Sequence, residues 1–186
     1  MLFVTKSVTV KLLPFDNKSE LAVVLDLPEG ATLEETERTL FAAAEITRQL
    51  PEVRSIQVYA GTPAPFNFNG LVRHYYVRES VELGELQINL APRGERSRAS
   101  HEIALDLRER LAALSLPAGS SLKVVEVPPG PPVLSTLLAE IYGPNSETRH
   151  AVAAEVRKIF ASVPFIVDID DSIGRPRPRL RIAIDQ

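Results

Sequence analysis

Three histidines are the side chains with the clearest capacity for chemistry in this chain. His74, His101 and His150 could each ligate zinc or transfer a proton near neutral pH. A zinc site needs several ligands at short, defined spacings, and none of the three has a second histidine or a carboxylate at such a spacing. We therefore interpret them as surface histidines, with His74 in a strand, and predict no metal site.

An aspartate cluster near the end of the chain is the other candidate for ion binding. Asp168 and Asp170 alternate onto one face of a predicted strand, next to Asp171, and could chelate a hard cation. The glycine-containing loop typical of calcium sites is missing around them. We interpret the three carboxylates as solvent-side charges at a strand end.

Sequence motifs of catalysis are not found. The chain contains no nucleophile elbow, no P-loop and no dinucleotide fingerprint. Glutamates such as Glu34, Glu35 and Glu37 fit the solvated face of an amphipathic helix better than an acid–base pair. The sequence therefore predicts that the protein is not an enzyme, with no catalytic residues and no cofactor.

A loop rich in proline and phenylalanine follows the second predicted strand. Residues 60–70 include Pro63, Phe66, Asn67 and Phe68, in a segment too broken for regular structure. Its two phenylalanines could pack into a local core. Alternatively, they could line a hydrophobic cleft for an apolar ligand or touch a partner surface.

Strand and helix patterns alternate through the first two thirds of the chain. Thr32, with Glu35 three residues later, predicts a capped helix start, and Ser100 is a candidate cap for a later helix. The predicted elements are a strand at 21–27, a helix ending before Pro51, a strand at 53–59, β-prone segments 71–78 and 86–90 joined by a turn at Gly84, a helix up to Pro117 and a strand at 122–127. This β-α-β-β-α-β order is the ferredoxin-like pattern.

A proline-rich segment, residues 128–132, predicts a boundary between two domains. Beyond it we predict a strand at 137–142, a helix at 147–160 and strands at 165–169 and 180–184. The predicted fold class is thus α+β, a ferredoxin-like βαββαβ subdomain followed by a partial ferredoxin-like βαββ subdomain. The predicted domains are an extended lead-in at 1–19, a first unit at 20–129 and a second unit at 130–186.

Composition excludes several classes of protein. The formal charge of −3 is too small for a nucleic-acid polycation, and the lack of cysteine excludes disulfides and thiolate metal sites. No apolar run reaches the roughly 18 to 20 residues that cross a bilayer. Tyr75, Tyr76 and four arginines between 175 and 181 invite comparison with RNA-binding sheets, but the basic-and-aromatic strand motif is missing and the pI is acidic.

Four sequence blocks resemble the periplasmic porter region of resistance–nodulation–division (RND) efflux permeases of the AcrB type. They are residues 11–20 (KLLPFDNKSE), 27–36 (LPEGATLEET), 66–76 (FNFNGLVRHYY) and 125–133 (VEVPPGPPV). The resemblance implies that residues before 20 continue from a transmembrane helix and that residues 20–129 are the first C-terminal porter subdomain. It also implies that residues 130–186 are the first half of the second such subdomain, interrupted by an inserted docking domain.

The resemblance implies a non-catalytic part in transport. Such porter subdomains open and close a cleft for a lipophilic small molecule at the periplasmic face of the bacterial inner membrane, driven by protons that cross elsewhere in a homotrimer. The partners implied are a periplasmic adaptor and an outer-membrane channel, with no nucleic acid. The loop position implies substrate contact by Pro63, Phe66, Asn67 and Phe68.

Two further points bear on the family resemblance. Metal-exporting members use methionines as soft ligands, whereas this chain has only Met1. The alternative hypothesis, from a different functional class, is a free-standing ferredoxin-like module that binds RNA or protein.

Overall fold

A computed structural model of the 186-residue chain describes residues 17–65, 70, 74–127 and 137–173. The chain divides into two compact units, residues 1–136 and 137–186. The α+β fold class predicted from the sequence is confirmed. Among the described residues no helix is long and apolar enough to cross a membrane.

The first unit is built on a four-stranded antiparallel sheet. Its strands are β1 (Glu20–Asp26), β2 (Val53–Ala60), β3 (Leu83–Leu90) and β4 (Ser121–Glu126), in the spatial order β2-β3-β1-β4. Each neighbouring pair is antiparallel. β1 and β3 therefore form the centre of the sheet, as the ferredoxin-like pattern requires.

Two helices, α1 (Leu33–Arg48) and α2 (Ser100–Leu111), cover one face of this sheet. Side chains alternate along a strand, so Leu21, Val23 and Leu25 of β1 point to the same face, where they join Leu40 and Leu107 of the two helices in the core. All five are almost fully buried. Their burial is the main stabilising contribution, since each large aliphatic side chain removed from water contributes about 1.5 to 3 kcal/mol.

The start of α1 confirms the cap predicted at Thr32. Its hydroxyl oxygen accepts a hydrogen bond from the Glu35 backbone N–H at 3.3 Å, and the Thr32 backbone is extended. Such a bond satisfies one of the N–H groups that have no partner within the helix.

Replacing Thr32 by alanine should lower the free energy of unfolding by about 1 kcal/mol, because that N–H loses its partner. Thr39→Ala in the same helix is the matched control: its hydroxyl donates to the Glu35 carbonyl at 2.8 Å within the helix, and alanine is the better helix former. Urea unfolding of both variants measures the difference. Equal losses at the two positions would contradict the capping role.

The cap predicted at Ser100 is wrong. Ser100 is the first residue of α2 and Ala99 precedes it as the cap. The Ala99 N–H donates to the Glu102 carboxylate at 2.7 Å, and the Ser100 N–H donates to Asn17 Oδ1 at 2.9 Å. The backbone N–H groups at the start of α2 are therefore bonded by Glu102, the third residue of the helix, and by Asn17, which is distant in sequence.

The three residues before β1 are each tied to the rest of the unit. Besides the Asn17 contact with α2, the Lys18 carbonyl accepts from Arg96 at 2.9 Å and the Ser19 carbonyl accepts from the Leu90 N–H at 2.8 Å. The chain is thus held against the end of β3 before the first strand begins.

The turn predicted at Gly84 is wrong, because Gly84 lies inside β3. A Cβ atom at this position would lie 2.5 Å from Leu40 Cδ1 and 3.2 Å from Thr36 Cγ2. The glycine is therefore required for the close approach of α1 to the sheet, not for a change of chain direction. The strand starts at Leu83 instead of Leu86.

The strand predicted over residues 71–78 is also wrong where the structure describes it. Residues Tyr75–Val77 form a 3₁₀ turn, and His74 before them has a left-handed backbone with φ of 56°. A left-handed residue interrupts an extended chain. His74 therefore does not lie in a strand.

In the second unit, the described residues 137–173 contain one helix, α3 (Ser146–Ala161), which confirms the helix predicted at 147–160. Asn145 caps it by accepting from the Thr148 N–H at 2.8 Å. The strands predicted at 137–142 and 165–169 are wrong, because a strand needs a neighbour to bond with and residues 137–173 contain none. The strand predicted at 180–184 lies outside the described residues, and the predicted domain bounds remain predictions.

Candidate functional surface on the open face of the sheet

The face of the sheet that points away from the helices, called the open face here, carries the side chains that alternate with the core. On β1 these are Ala22, Val24 and Asp26. At the β3 end near Asn89 the face is polar, and the Asn89 amide donates to Ser55 Oγ at 3.0 Å and to Gln57 Oε1 at 3.3 Å. The end of the open face near Asn89 is therefore polar, whereas Ala22 and Val24 make the middle of this face apolar.

The connection between β2 and β3 is residues 61–82, and its described parts, 61–65 and 74–82, lie against the other end of the open face. Tyr75 packs on the small apolar cluster formed by Ala22, Val24 and Val125. At the margins of the connection, the Gly61 N–H donates to the Leu83 carbonyl at 2.8 Å and Thr36 Oγ1 donates to the Val81 carbonyl at 2.7 Å. The connection is thus fixed to the sheet and to α1 by several independent contacts.

Under the connection lies an ion cluster made of Asp26, Arg78 and Lys123, called the Asp26 cluster below. Asp26 forms ion pairs with Arg78 and with Lys123, whose Nζ lies 3.1 Å from Oδ2. Arg78 also donates to the Leu25 carbonyl at 3.3 Å, and its guanidinium lies 5.5 Å from the centre of the Tyr75 ring. Burial raises the pKa of Asp26, but the two cations outweigh it and hold that pKa below its usual range.

Glu85 is a buried carboxyl on the same face. It pairs with Tyr59 across β2 and with Val24 across β1, and only 4% of the residue is exposed. Its carboxylate accepts from the Ala64 backbone N–H, while Oε1 has no hydrogen-bond partner in the described part of the chain. Burial is the largest cause of a raised pKa at Glu85, only partly opposed by the Ala64 bond and the charge of Arg78.

Of the four residues predicted to contact substrate, the structure describes one. Pro63 is half-buried in the connection, next to the Ala64 group that binds Glu85. Phe66, Asn67 and Phe68 lie outside the described residues. Their contact with a ligand stays a prediction.

The residues considered for metal binding take part in ordinary pairs. His101 Nδ1 lies 3.0 Å from Glu126, and Asp171 pairs with Arg157 at 2.8 Å. Within the described ranges no three histidine, aspartate or glutamate side chains are grouped as a metal ion would need. Asp168 and Asp170 are not on a strand, since Asp168 has a left-handed backbone with φ of 55°.

Sequence reasoning did not find the Asp26 cluster or Glu85. A weak signal existed, because Asp26, Glu85 and Lys123 each interrupt an apolar strand segment at a position alternating with core residues. Pairing the three required the strand register, which brings β1, β3 and β4 side by side. Asp26 and Lys123 are 97 positions apart in sequence, so they cannot be paired from local pattern alone, and the same holds for Arg78, 52 positions after Asp26.

No family model matches the sequence, and no curated protein matches it. Among solved structures, two crystal forms of a heavy metal efflux pump are similar. Form II superimposes with a TM-score of 0.66 over 99% of this chain at 16% identity, and form I with a TM-score of 0.68 over 92% at 18% identity. The chain has the fold of an efflux-pump segment.

This efflux-pump fold extends over both units of the chain, since the matches cover 92% and 99% of it. The chain spans only 18% of the length of each pump chain. The comparison is therefore with one segment of a much larger transporter.

Proposed function

We propose that this chain is a porter segment of an RND-type, proton-driven efflux permease, at the periplasmic face of the bacterial inner membrane, and that it forms one wall of a substrate cleft. The observation that carries the proposal is the match of nearly the whole chain to one segment of an efflux pump, with TM-scores of 0.66 and 0.68. A match that covers both units supports a shared architecture better than a match to a single common subdomain would.

The open face is the part of the first unit that suits a cleft wall. The opposite face is filled by α1 and α2, whereas the apolar cluster of the open face is buried by Tyr75 of the connection, so a ligand would meet the connection first. The connection over it carries exposed apolar residues, among them Val77 at 66% exposure. The proposed substrate surface is thus the open face together with residues 61–82.

A lipophilic organic molecule is the substrate class that we propose. The similar structures are of a heavy metal efflux pump, and soft metal ions such as Cu⁺ prefer thioether and thiolate ligands. Met1 is the one methionine of this chain, and the chain has no cysteine. Soft ligands for a metal substrate would have to come from other parts of the parent protein, whereas Pro63, Phe66, Asn67 and Phe68 offer apolar and amide contacts to an organic one.

The remaining parts of the transport cycle are assigned to other segments and chains. In the proposed assembly the parent protein is a homotrimer that works with a periplasmic adaptor and an outer-membrane channel. Proton translocation belongs to membrane-spanning helices elsewhere in it. This chain would then respond to proton movement by a change of cleft geometry.

Titration of the chain with the fluorescent lipophilic amine N-phenyl-1-naphthylamine tests the substrate surface. Phe66→Ala and Phe68→Ala should each weaken dye binding by on the order of tenfold, because a buried aromatic contact contributes about 1 to 2 kcal/mol. Fluorescence enhancement against dye concentration measures the affinity.

Phe41→Ala is the matched control, because Phe41 is an exposed phenylalanine, 57% accessible, on α1 at the other side of the sheet. It should leave dye affinity unchanged. Equal affinity of Phe66→Ala, Phe68→Ala and the unmodified chain would remove both residues from the proposed surface. Saturable binding of single-stranded RNA at physiological salt, without dye binding, would instead favour the free-standing binding module.

A further inference from the structure

Two carboxyls on the open face are influenced by one guanidinium, that of Arg78. Asp26 pairs with Leu83 across the β1–β3 ladder, two residues before Glu85 on the same strand. Residues in this diagonal relation lie roughly 7 to 8 Å apart on one face of a sheet, a separation that long side chains can bridge. Arg78 binds Asp26, and its charge also acts on Glu85.

The two carboxyls are unequally supplied with partners. Asp26 is shared by Arg78 and Lys123, so it keeps a cation even when Arg78 leaves. Glu85, 4% exposed, has one oxygen without a partner among the described residues. A buried carboxylate oxygen without a donor is costly, and a planar guanidinium is the donor best matched to it.

We propose that Arg78 is a two-position latch, which exchanges Asp26 for Glu85 when the Glu85 carboxyl loses its proton and thereby shifts residues 74–82 across the open face. The exchange itself follows from the geometry, whereas its role in gating a cleft rests on the proposed function. In that role, the latch sets the position of residues 74–82 on the proposed substrate surface.

Charge balance favours the exchange on deprotonation. With Glu85 protonated, Asp26, Arg78 and Lys123 leave one net positive charge under the connection. With Glu85 ionised, the four groups form two pairs, Asp26 with Lys123 and Glu85 with Arg78, and the net charge is zero. Neutral pairing lowers the cost of keeping these groups partly out of water.

Other titratable groups face Glu85 from the surrounding elements. Tyr59 lies opposite on β2, Asp26 and Lys123 lie on β1 and β4, and Tyr75 packs against the sheet from the connection. Burial raises the pKa of Asp26, but Lys123 and Arg78 hold it below its usual range, so Asp26 is already ionised when Glu85 loses its proton. Burial raises the pKa of Glu85, so this carboxyl is the member of the group expected to change charge above the ordinary glutamate range.

A single thiol label reports the latch position, because the chain has no native cysteine. Val77→Cys places a trifluoromethyl label on an exposed residue adjacent to Arg78. Fluorine NMR of the labelled 186-residue chain between about pH 4 and about pH 8 should show one transition with a midpoint above the ordinary glutamate value. Glu85→Gln should abolish it, and Asp26→Asn should hold the label at its high-pH position throughout.

Two further variants protect the interpretation. His74→Gln must leave the transition in place, because His74 is three residues before the label and its imidazole is the other side chain near it that could change charge. Arg78→Gln must remove it although Glu85 remains, which tests the latch even where Glu85→Gln does not fold. A transition that persists in Glu85→Gln or in Arg78→Gln, or that disappears in His74→Gln, would overturn the proposal. The label readout needs no dye, so its failure is distinct from failure of the substrate surface.

Discussion

Arg98→Ala should lower the free energy of unfolding by about 3 kcal/mol at neutral pH. Arg98 binds Glu52 through two parallel bonds of 2.7 Å each and binds Asp106 at 2.6 Å. The Glu52 residue is only 8% exposed, so removal of the guanidinium leaves a nearly buried carboxylate without its main partner. The figure is at the lower end of the range for buried pairs because the Arg98 side chain is one third exposed.

The loss should shrink in acid. Hydrogen bonds from Arg98 are the largest cause of the lowered pKa of Glu52, and those from Arg110 and then Arg98 lower the pKa of Asp106. Carboxyls with a lowered folded-state pKa stabilise the fold above their unfolded pKa and lose that contribution as pH falls through the folded value. The difference in free energy of unfolding between the unmodified chain and Arg98→Ala should therefore be large at neutral pH and small below about pH 4. Urea unfolding of both proteins at the two pH values measures it.

Arg110→Ala is the control for Arg98→Ala. Arg110 also binds Asp106, at 2.7 Å, but its side chain is 41% exposed and the pair lies within one helix. Its removal should cost less than about 0.5 kcal/mol. Arg98→Lys should lie between the two, because lysine keeps the charge but cannot form the paired bonds. A pH-independent loss in Arg98→Ala would contradict the electrostatic explanation.

Gly84→Ala should cost about 2 kcal/mol, because the added methyl group overlaps α1. The new Cβ would lie 2.5 Å from Leu40 Cδ1, and Leu40 is fully buried, so it has little room to move. Urea unfolding measures the loss. In the Leu40→Ala background the same substitution should cost less, since the missing leucine leaves space for it.

Gly94→Ala provides the matched control for Gly84→Ala. No atom lies within 4 Å of a Cβ built at Gly94, which belongs to the short 3₁₀ segment Arg93–Glu95. This substitution should change the free energy of unfolding by less than about 0.5 kcal/mol. A neutral Gly84→Ala would mean that α1 does not approach the sheet as closely as described.

Local pattern was sufficient where an element is decided by its own residues. The apolar run of β1, the Thr32 cap of α1 and the periodicity of α2 and α3 each depend on neighbours in sequence, and they were predicted correctly. Gly84 shows the limit, because a glycine needed for helix-to-sheet contact has the same local appearance as a turn glycine. Its role is visible only when Leu40, 44 residues earlier, is placed against it.

The candidate surface was harder to predict for the same reason. Arg78 looked like the end of a β-prone segment, but its ion pair with Asp26 and its contact with Tyr75 hold the chain in a turn over the open face. The segment at 165–169 has strand-like residues without a strand to pair with in the described part of its unit. In both cases a distant partner, present or missing, decided the outcome.

The contacts of Asn17, Lys18 and Ser19 have a mechanical consequence. A pull on the chain from the side of residues 1–16 would not reach β1 first, because the hydrogen bonds to Ser100, Arg96 and Leu90 would bear it together. Hydrogen bonds loaded in parallel share the tension, so the sheet registers would be protected while the load passed to α2 and to the end of β3. Under such a pull the first unit would move as a rigid body, and β1 would not be the first element to unfold.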